Sequence, residues 1–131
     1  MASLGRGVRA TQTFFREDFL LEFAGELLTG QNAEAREAEY SNDDTTGNFM
    51  FFFTHKGKDW CQDMVKDNGR FARLVNHSKK KLNSKPKAIT WENKPRLVLK
   101  ANREIHIGEE LFFDYKETRK EVLKAFPFLN D

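Results

Sequence analysis

The chain has 131 residues with a net charge of +2, of which 39% are hydrophobic and 32% are charged. These values exclude an extended disordered tail and predict one soluble domain with a modest core. The single cysteine, Cys61, excludes an internal disulfide and a cysteine-cluster zinc site, and no apolar run reaches the roughly 18 residues of a membrane span. We therefore expect a soluble intracellular chain, or part of one, in a reducing compartment.

The first third of the chain predicts two strands and a helix. Alternating apolar residues around Val8 and over 19–23, separated by the polar turn 16–18, predict two short strands that pair with each other. Asn32 is placed to cap a helix over 33–40, which is rich in alanine and glutamate.

The middle of the chain carries most of its phenylalanine. A turn-rich loop over 41–47 precedes the apolar run 49–53, which predicts a strand buried on both faces. A turn at 56–58 then leads to a partner strand around Trp60. We expect most of these phenylalanines to lie in the core.

The last part of the chain predicts strands again. The basic stretch 79–94 contains proline and indicates a loop or hairpin, and 96–101 indicates a strand. A turn at 108–110 leads into 111–115, and Thr118 opens a C-terminal helix. Short strands with two small helices and no βαβ rhythm predict a mainly β, α+β domain.

Charge is distributed unevenly along the chain. Residues 79–103 hold nine Lys/Arg against one acid, and residues 17–44 hold nine acids against one base. A basic stretch can contact phosphate and an acidic one a basic peptide. The simpler alternative is that both are solvated faces of a small protein.

Three separated segments carry chemistry-capable residues, and each alone is a weak signal. The three segments are Gly5-Arg6-Gly7, 73–78 (Arg-Leu-Val-Asn-His-Ser) and 108–115 (Gly-Glu-Glu-Leu-Phe-Phe-Asp-Tyr). In their order and spacing they resemble the SET domain of protein lysine methyltransferases over essentially the whole chain, and within that family the members that monomethylate lysine twenty of histone H4. Further similar stretches are 5–11, 36–38, 46–47 and 125–129.

The resemblance implies small curved sheets around a C-terminal pseudoknot, with a SET core over 1–115 and a post-SET helical segment over 116–131. It implies a nuclear, chromatin-associated enzyme that uses S-adenosylmethionine to methylate a lysine of the histone H4 tail. It implies no metal ion and no membrane, and we expect a monomer.

The resemblance also assigns roles to particular residues of this sequence. Tyr115 matches the catalytic tyrosine, and Glu117 matches an acidic residue near the peptide groove. The cofactor would be held by backbone groups of the first motif, by the Asn-His pair and by two aromatic rings. These cofactor residues are Gly5, Arg6, Gly7, Phe49, Asn76, His77 and Phe128.

The ratio of 13 Phe to 2 Tyr bears on the lysine channel. Phe23 and Phe113 both stand where the monomethylating relatives have tyrosine. A tyrosine hydroxyl at the position of Phe113 helps hold a water that occupies the space of a second methyl group, so phenylalanine there implies dimethylation. For Phe23, two interpretations are equally good: a residue of the lysine channel, or simply a packed strand residue.

A second hypothesis is a SET-like module without useful catalysis that binds DNA or the nucleosome through the basic stretch 79–103. Lys79, Lys80 and Lys81 would make that contact. The presence of Tyr115, Asn76 and His77 favours the enzyme, because a pure binding module has no chemical need for that combination.

Overall fold

The computed structural model describes residues 2–4, 7–40, 49–66 and 71–114. Over these residues the chain forms short strands, one α-helix and one 3-10 turn at Ala72–Leu74, which confirms the mainly β, α+β prediction. None of the helical segments described is long and apolar enough to cross a membrane. The elements are β1 (Ala2–Leu4), β2 (Gly7–Arg9), β3 (Phe19–Glu22), β4 (Glu26–Thr29), α1 (Gly30–Tyr40), β5 (Met50–His55), β6 (Lys58–Asp63), β7 (Asn76–His77), β8 (Ser84–Trp91), β9 (Lys94–Ala101) and β10 (Phe112–Phe113).

The strands form four small sheets, in the orders β1-β2, β10-β7, β3-β9-β8 and β4-β6-β5. The chain divides into two compact units. Unit 1 comprises residues up to Leu21, then Leu74–Pro86, and residues from Leu99 onward. Unit 2 comprises Glu22–Arg73 and Lys87–Val98.

In unit 1 the segment 110–113 is enclosed between two stretches of backbone. On one side β10 pairs in parallel with β7, and the Ser78 amide donates to the Phe113 carbonyl at 3.1 Å. On the other side the Asn83 amide donates to the Phe112 carbonyl at 3.1 Å. The chain between Ser78 and Asn83 therefore forms a loop beside the C-terminal segment, as the resemblance implied for the pseudoknot.

In unit 2, strands β4, β6 and β5 form an antiparallel sheet. Leu28 of β4, Ala33 of helix α1 and Cys61 of β6 form a buried cluster. Cys61 is fully buried in it, as expected of a structural cysteine.

The predicted pairing between the first two strands is wrong. β2 pairs with β1 instead, with Val8 opposite Ser3, and β3 pairs with β9. Alternation of apolar residues identifies a strand and its buried face, but it carries no information on a partner distant in sequence.

The helix starts earlier than predicted, and its cap is different. α1 begins at Gly30, and the Thr29 hydroxyl accepts the Asn32 amide hydrogen at 3.3 Å. Thr29 is thus the N-cap and Asn32 lies within the first turn. Both are good capping residues, and the chain uses the one that directly follows β4.

The run 49–53 is not buried on both faces. In β5, Phe51 is 8% exposed and Phe52 is 39% exposed. β5 is an edge strand of its sheet, where Phe52 pairs with the buried Cys61. The packing that buries Cys61 does not extend fully to Phe52 on the edge strand.

The turn predicted at 56–58 is confirmed, and a second turn lies inside the stretch 79–94, which the sequence indicated only as a loop or hairpin. Lys56 and Gly57 join β5 to β6 with positive φ angles of 53° and 77°. Glu92 and Asn93 join β8 to β9, also with positive φ, as a two-residue hairpin turn requires. The stretch 79–94 therefore contains a loop followed by the first strand of a hairpin.

Candidate functional site

The residues that directly follow the first motif lie beside the third motif in unit 1 through backbone hydrogen bonds. The Leu111 amide donates to the Val8 carbonyl at 2.8 Å, and the Ala10 amide donates to the Glu109 carbonyl at 2.9 Å. Gly108 turns the chain into this pairing with a φ of 89°, a conformation that glycine adopts without strain. Residues a hundred positions apart are thus in register.

The Glu110 carboxylate lies between Gly7 and Asn76. Asn76 Nδ2 donates to Glu110 Oε2 at 2.8 Å. A Cβ atom at Gly7 would lie 2.6 Å from the same oxygen and 2.9 Å from the carboxyl carbon. The close approach of the carboxylate therefore depends on the missing side chain at Gly7.

Parallel pairing of β7 and β10 brings the second motif to the third. Asn76 lies opposite Phe112, and His77 lies opposite Phe113. The His77 side chain is fully buried, and its Nδ1 lies 3.8 Å from Asp114 Oδ1. Asp114 directly precedes Tyr115, so the Asn-His pair is beside the segment that leads into the predicted catalytic residue.

Asn83 holds this segment in place from the loop side. Its side chain is 1% exposed; Nδ2 donates to the Glu110 carbonyl at 2.9 Å, and Oδ1 accepts the Phe112 amide hydrogen at 3.0 Å. Ser84 Oγ donates to the Phe112 carbonyl at 2.7 Å. β10 pairs with β7 over only two residues. The bonds from Asn83 and Ser84 satisfy backbone groups that this short pairing leaves without a partner.

Glu110 and Asn83 were both missed as site residues by the sequence argument. Glu110 stands inside the third motif, but a glutamate after a glycine turn is usually a solvated charge. Asn83 carried no signal, because an asparagine before a strand is a common loop residue.

The predicted site residues fall into three groups. Unit 1 brings together Gly7, Asn76, His77 and Phe113, and Phe113 is 2% exposed. Phe23 and Phe49 belong to unit 2. The remaining five, namely Gly5, Arg6, Tyr115, Glu117 and Phe128, lie outside the described residues.

Phe23 directly follows strand β3 and is packed inside unit 2. It is 0% exposed, its ring centroid lies 5.1 Å from that of Phe51 with the planes tilted by 48°, and its amide donates to the Leu97 carbonyl at 2.9 Å. Phe49 is half-buried, and its backbone carbonyl accepts the Met64 amide hydrogen at 2.9 Å. Packing is thus sufficient to explain Phe23, and a role in the lysine channel stays a prediction.

Unit 2 contains a charged network that ties α1 to its sheet. The Arg36 guanidinium donates to both carboxylate oxygens of Glu26, at 2.6 and 3.1 Å, and to Asp63 Oδ2 at 3.1 Å. The Tyr40 hydroxyl donates to the same Asp63 oxygen at 2.8 Å. The hydrogen bond from Arg36 lowers the pKa of Glu26, and burial, followed by the bond to Asp63, raises the pKa of Tyr40.

The basic stretch is partly neutralised within the chain. Lys79, Lys80 and Lys81 are exposed. Other members pair with acids: Lys85 with Glu17, Arg96 with Glu22 at 3.3 Å, and Arg103 with Glu109 at 3.0 Å. Lys79, Lys80 and Lys81 therefore form a run of three consecutive exposed charges that a phosphate backbone could contact.

Known proteins resemble this chain throughout its length. The SET domain family profile matches residues 5–116. N-lysine methyltransferase KMT5A of Xenopus tropicalis is 42% identical over 97% of this chain and 38% of its own length, and histone-lysine N-methyltransferase set-1 of Caenorhabditis elegans is 38% identical over 95% and 52%. The crystal structure of CpSET8 from Cryptosporidium superposes with a TM-score of 0.70 at 34% identity, covering 82% of this chain and 50% of that one. The chain therefore spans about half or less of these relatives, and it belongs to the SET-domain family.

Proposed function

We propose that the chain is a protein lysine N-methyltransferase that transfers a methyl group from S-adenosylmethionine to a lysine of the histone H4 tail on chromatin. Family membership supports the reaction class, and the printed names of its relatives support a lysine substrate on histones. The exposed Glu34 and Glu39 of the acidic stretch 17–44, together with Glu117, would attract a basic tail.

The observation that carries the proposal is the convergence of three motifs in unit 1. Gly7, Asn76 and the segment ending at Asp114 are joined by pairing and by the Glu110 carboxylate. The polar amide of Asn76 suits a ligand that carries an amino-acid group. S-adenosylmethionine supplies an electrophilic methyl group when bound.

The chain's own task is to deliver a neutral lysine amine in line with that methyl group. An ordinary lysine with a pKa near 10.4 is neutral about once in 2,500 at pH 7, a cost of roughly 4.6 kcal/mol. A channel lined by buried phenylalanines such as Phe113 lowers the lysine pKa by desolvation. The Tyr115 hydroxyl would orient the amine while the nitrogen–carbon bond forms, the carbon–sulfur bond breaks and the amine proton passes to solvent.

The test is transfer of labelled methyl from S-adenosylmethionine to histone H4. We expect activity in the natural chain and its loss in Tyr115→Phe. The matched control is Tyr40→Phe, since Tyr40 is the only other tyrosine and its hydroxyl bonds Asp63 within unit 2. Equal loss in both variants, or no transfer by the natural chain, contradicts the proposal.

The product state is the finer part of the proposal. Phe113 cannot hydrogen-bond a water, and one such bond contributes about 0.5–1.5 kcal/mol, so the water should leave ~2- to 12-fold more readily. We expect dimethyl-lysine on an H4 peptide by mass spectrometry at long incubation. Phe113→Tyr should shift the product to monomethyl, whereas Phe14→Tyr, at another buried phenylalanine of unit 1, should not. Identical products from both variants would refute this role.

The exposed Lys79, Lys80 and Lys81 support a second candidate function, binding of nucleosomal DNA. Replacing all three with glutamine should reduce the slope of log affinity against log salt by up to about 3. Lys85→Gln is the control, because that charge already pairs with Glu17. Salt-sensitive binding without methyl transfer would favour a binding module over the enzyme.

A further inference from the structure

We propose that Glu110 is a positioning residue that sets the polarity of the Asn76 amide, and that the two side chains together select the ammonium group of the cofactor's amino-acid portion. The inference rests on the proposed function and deepens it. It assigns a role to the one carboxylate that joins the first motif to the second.

The first step is the direction of the hydrogen bond. An ionised carboxylate offers only acceptors, so the amide of Asn76 must turn its NH₂ group toward it, as the 2.8 Å bond from Nδ2 to Oε2 shows. The carbonyl oxygen Oδ1 is then the atom that the amide can offer to a ligand. An acceptor at this point recognises a donor, and a primary ammonium carries three donors.

The second step is that the backbone of Glu110 is fixed next to Gly7 and Asn76. Its backbone carbonyl accepts from Asn83 Nδ2 at 2.9 Å, and Arg9 pairs with it in an antiparallel bridge. The space where a Cβ of residue 7 would lie is filled by the carboxylate, which limits its movement on that side. A carboxylate that reaches Asn76 from this backbone position keeps the NH₂ group of the Asn76 amide turned toward it.

The third step is the attraction between the negative charge of Glu110 and a cationic ligand group. Glu110 places a negative group one hydrogen bond from Asn76, in a partly buried setting where charges are weakly screened. A cation at Asn76 Oδ1 gains both the hydrogen bond and this attraction. A ligand that lacks the amino group gains neither.

The experiment compares two ligands by calorimetry: S-adenosylhomocysteine, and its deaminated analogue in which hydrogen replaces the amino group. The natural chain should prefer the first ligand. In Glu110→Gln the preference should fall by about ten-fold, because the new amide can both donate and accept and so permits either orientation of Asn76. Simple structural damage would weaken both ligands equally and leave the ratio unchanged.

Glu109→Gln is the matched control, because it removes the same charge from the adjacent residue. The Glu109 carboxylate pairs with Arg103 and accepts the His106 amide hydrogen, so the ligand ratio should stay as in the natural chain. An unchanged ratio in Glu110→Gln, or an equal affinity of the natural chain for both ligands, overturns the inference while leaving the proposed function standing. Failure of the natural chain to bind S-adenosylhomocysteine overturns both.

Discussion

At the scale of single residues, Gly7 matters for what its missing side chain permits. A methyl group there would lie 2.6 Å from Glu110 Oε2, which forces the carboxylate away from Asn76. A carboxylate is the movable end of a flexible side chain, so the displacement costs little folding energy. A side chain at position 7 should therefore lower ligand affinity more than it lowers the free energy of unfolding.

We therefore expect Gly7→Ala to weaken S-adenosylhomocysteine binding about ten-fold while the free energy of unfolding changes by less than ~1 kcal/mol. Gly57→Ala should do the opposite: it meets open space but has a φ of 77°, so it should cost about 1 kcal/mol of stability and leave binding unchanged. Calorimetry and chemical denaturation measure the two effects. Unaltered binding in Gly7→Ala would contradict the role given to the contact.

Glu109 provides a pH-dependent contribution at the residue scale. The hydrogen bond from Arg103, together with the His106 amide, lowers its pKa below the ordinary 4.5. The folded state thus favours the charged form, so this stabilisation is present above pH 4.5 and is lost as the pH falls through the lowered pKa. Glu109→Gln should therefore show a shallower fall in Tm between about pH 6 and pH 3 than the natural chain. Glu104→Gln, an exposed acid of the same loop, is the control, and parallel curves for all three proteins would disprove the expectation.

Sequence reasoning found the residues that belong to motifs and missed the residue that joins them. Gly7, Asn76 and His77 were assigned from their motifs, and unit 1 brings them together. Glu110 could not be assigned, because its role depends on contacts with positions 7 and 76 that only the fold creates. Long-range contacts of this kind leave no periodic signal in the sequence.

At the scale of elements, Asp63 of β6 ties α1 to its sheet through polar contacts as well as the packing of Ala33. The Asp63 side chain is 5% exposed and accepts from Arg36, from Tyr40 and from the Val65 amide. Removing the negative charge of this buried acceptor leaves its three donors facing an amide that can accept at only one atom.

We expect Asp63→Asn to lower the free energy of unfolding by about 2–4 kcal/mol. Glu26→Gln should have little effect, since Glu26 is an exposed partner of the same guanidinium. Urea denaturation measures both. Equal effects of the two substitutions would mean that the number of negative charges stabilises the network, and that the buried Asp63 carboxylate has no special importance.

The elements also show where local patterns suffice. The turns at 56–58 and at Gly108 were predicted correctly, because turn chemistry is decided by adjacent residues. The partner of β2 was predicted wrongly because alternation does not identify the pairing strand, and the exposure of Phe52 was missed because it depends on the position of β5 at a sheet edge. Element type is a local property, whereas pairing and edge position are properties of the fold.

At the scale of the whole molecule, the division into two units does not coincide with the division of the sequence. The predicted boundary at 115–116 falls outside the described residues, and the two compact units are each assembled from separate stretches. The backbone passes between the units four times, and three of these crossings fall inside strands β3, β8 and β9. A unit that unfolds alone would have to break these strands in mid-course, so we expect one cooperative transition.

The position of the tryptophans makes cooperativity testable. Both tryptophans, Trp60 and Trp91, lie in unit 2, so their fluorescence reports on that unit. Leu111 is fully buried in unit 1, and Leu111→Ala should cost about 2–5 kcal/mol. If the units unfold together, the Tm from tryptophan fluorescence should fall by about 10 °C and match the Tm from circular dichroism. Leu28→Ala, a buried leucine of unit 2, lowers the fluorescence Tm under either mechanism. A fluorescence Tm unchanged by Leu111→Ala would show instead that the two units unfold independently.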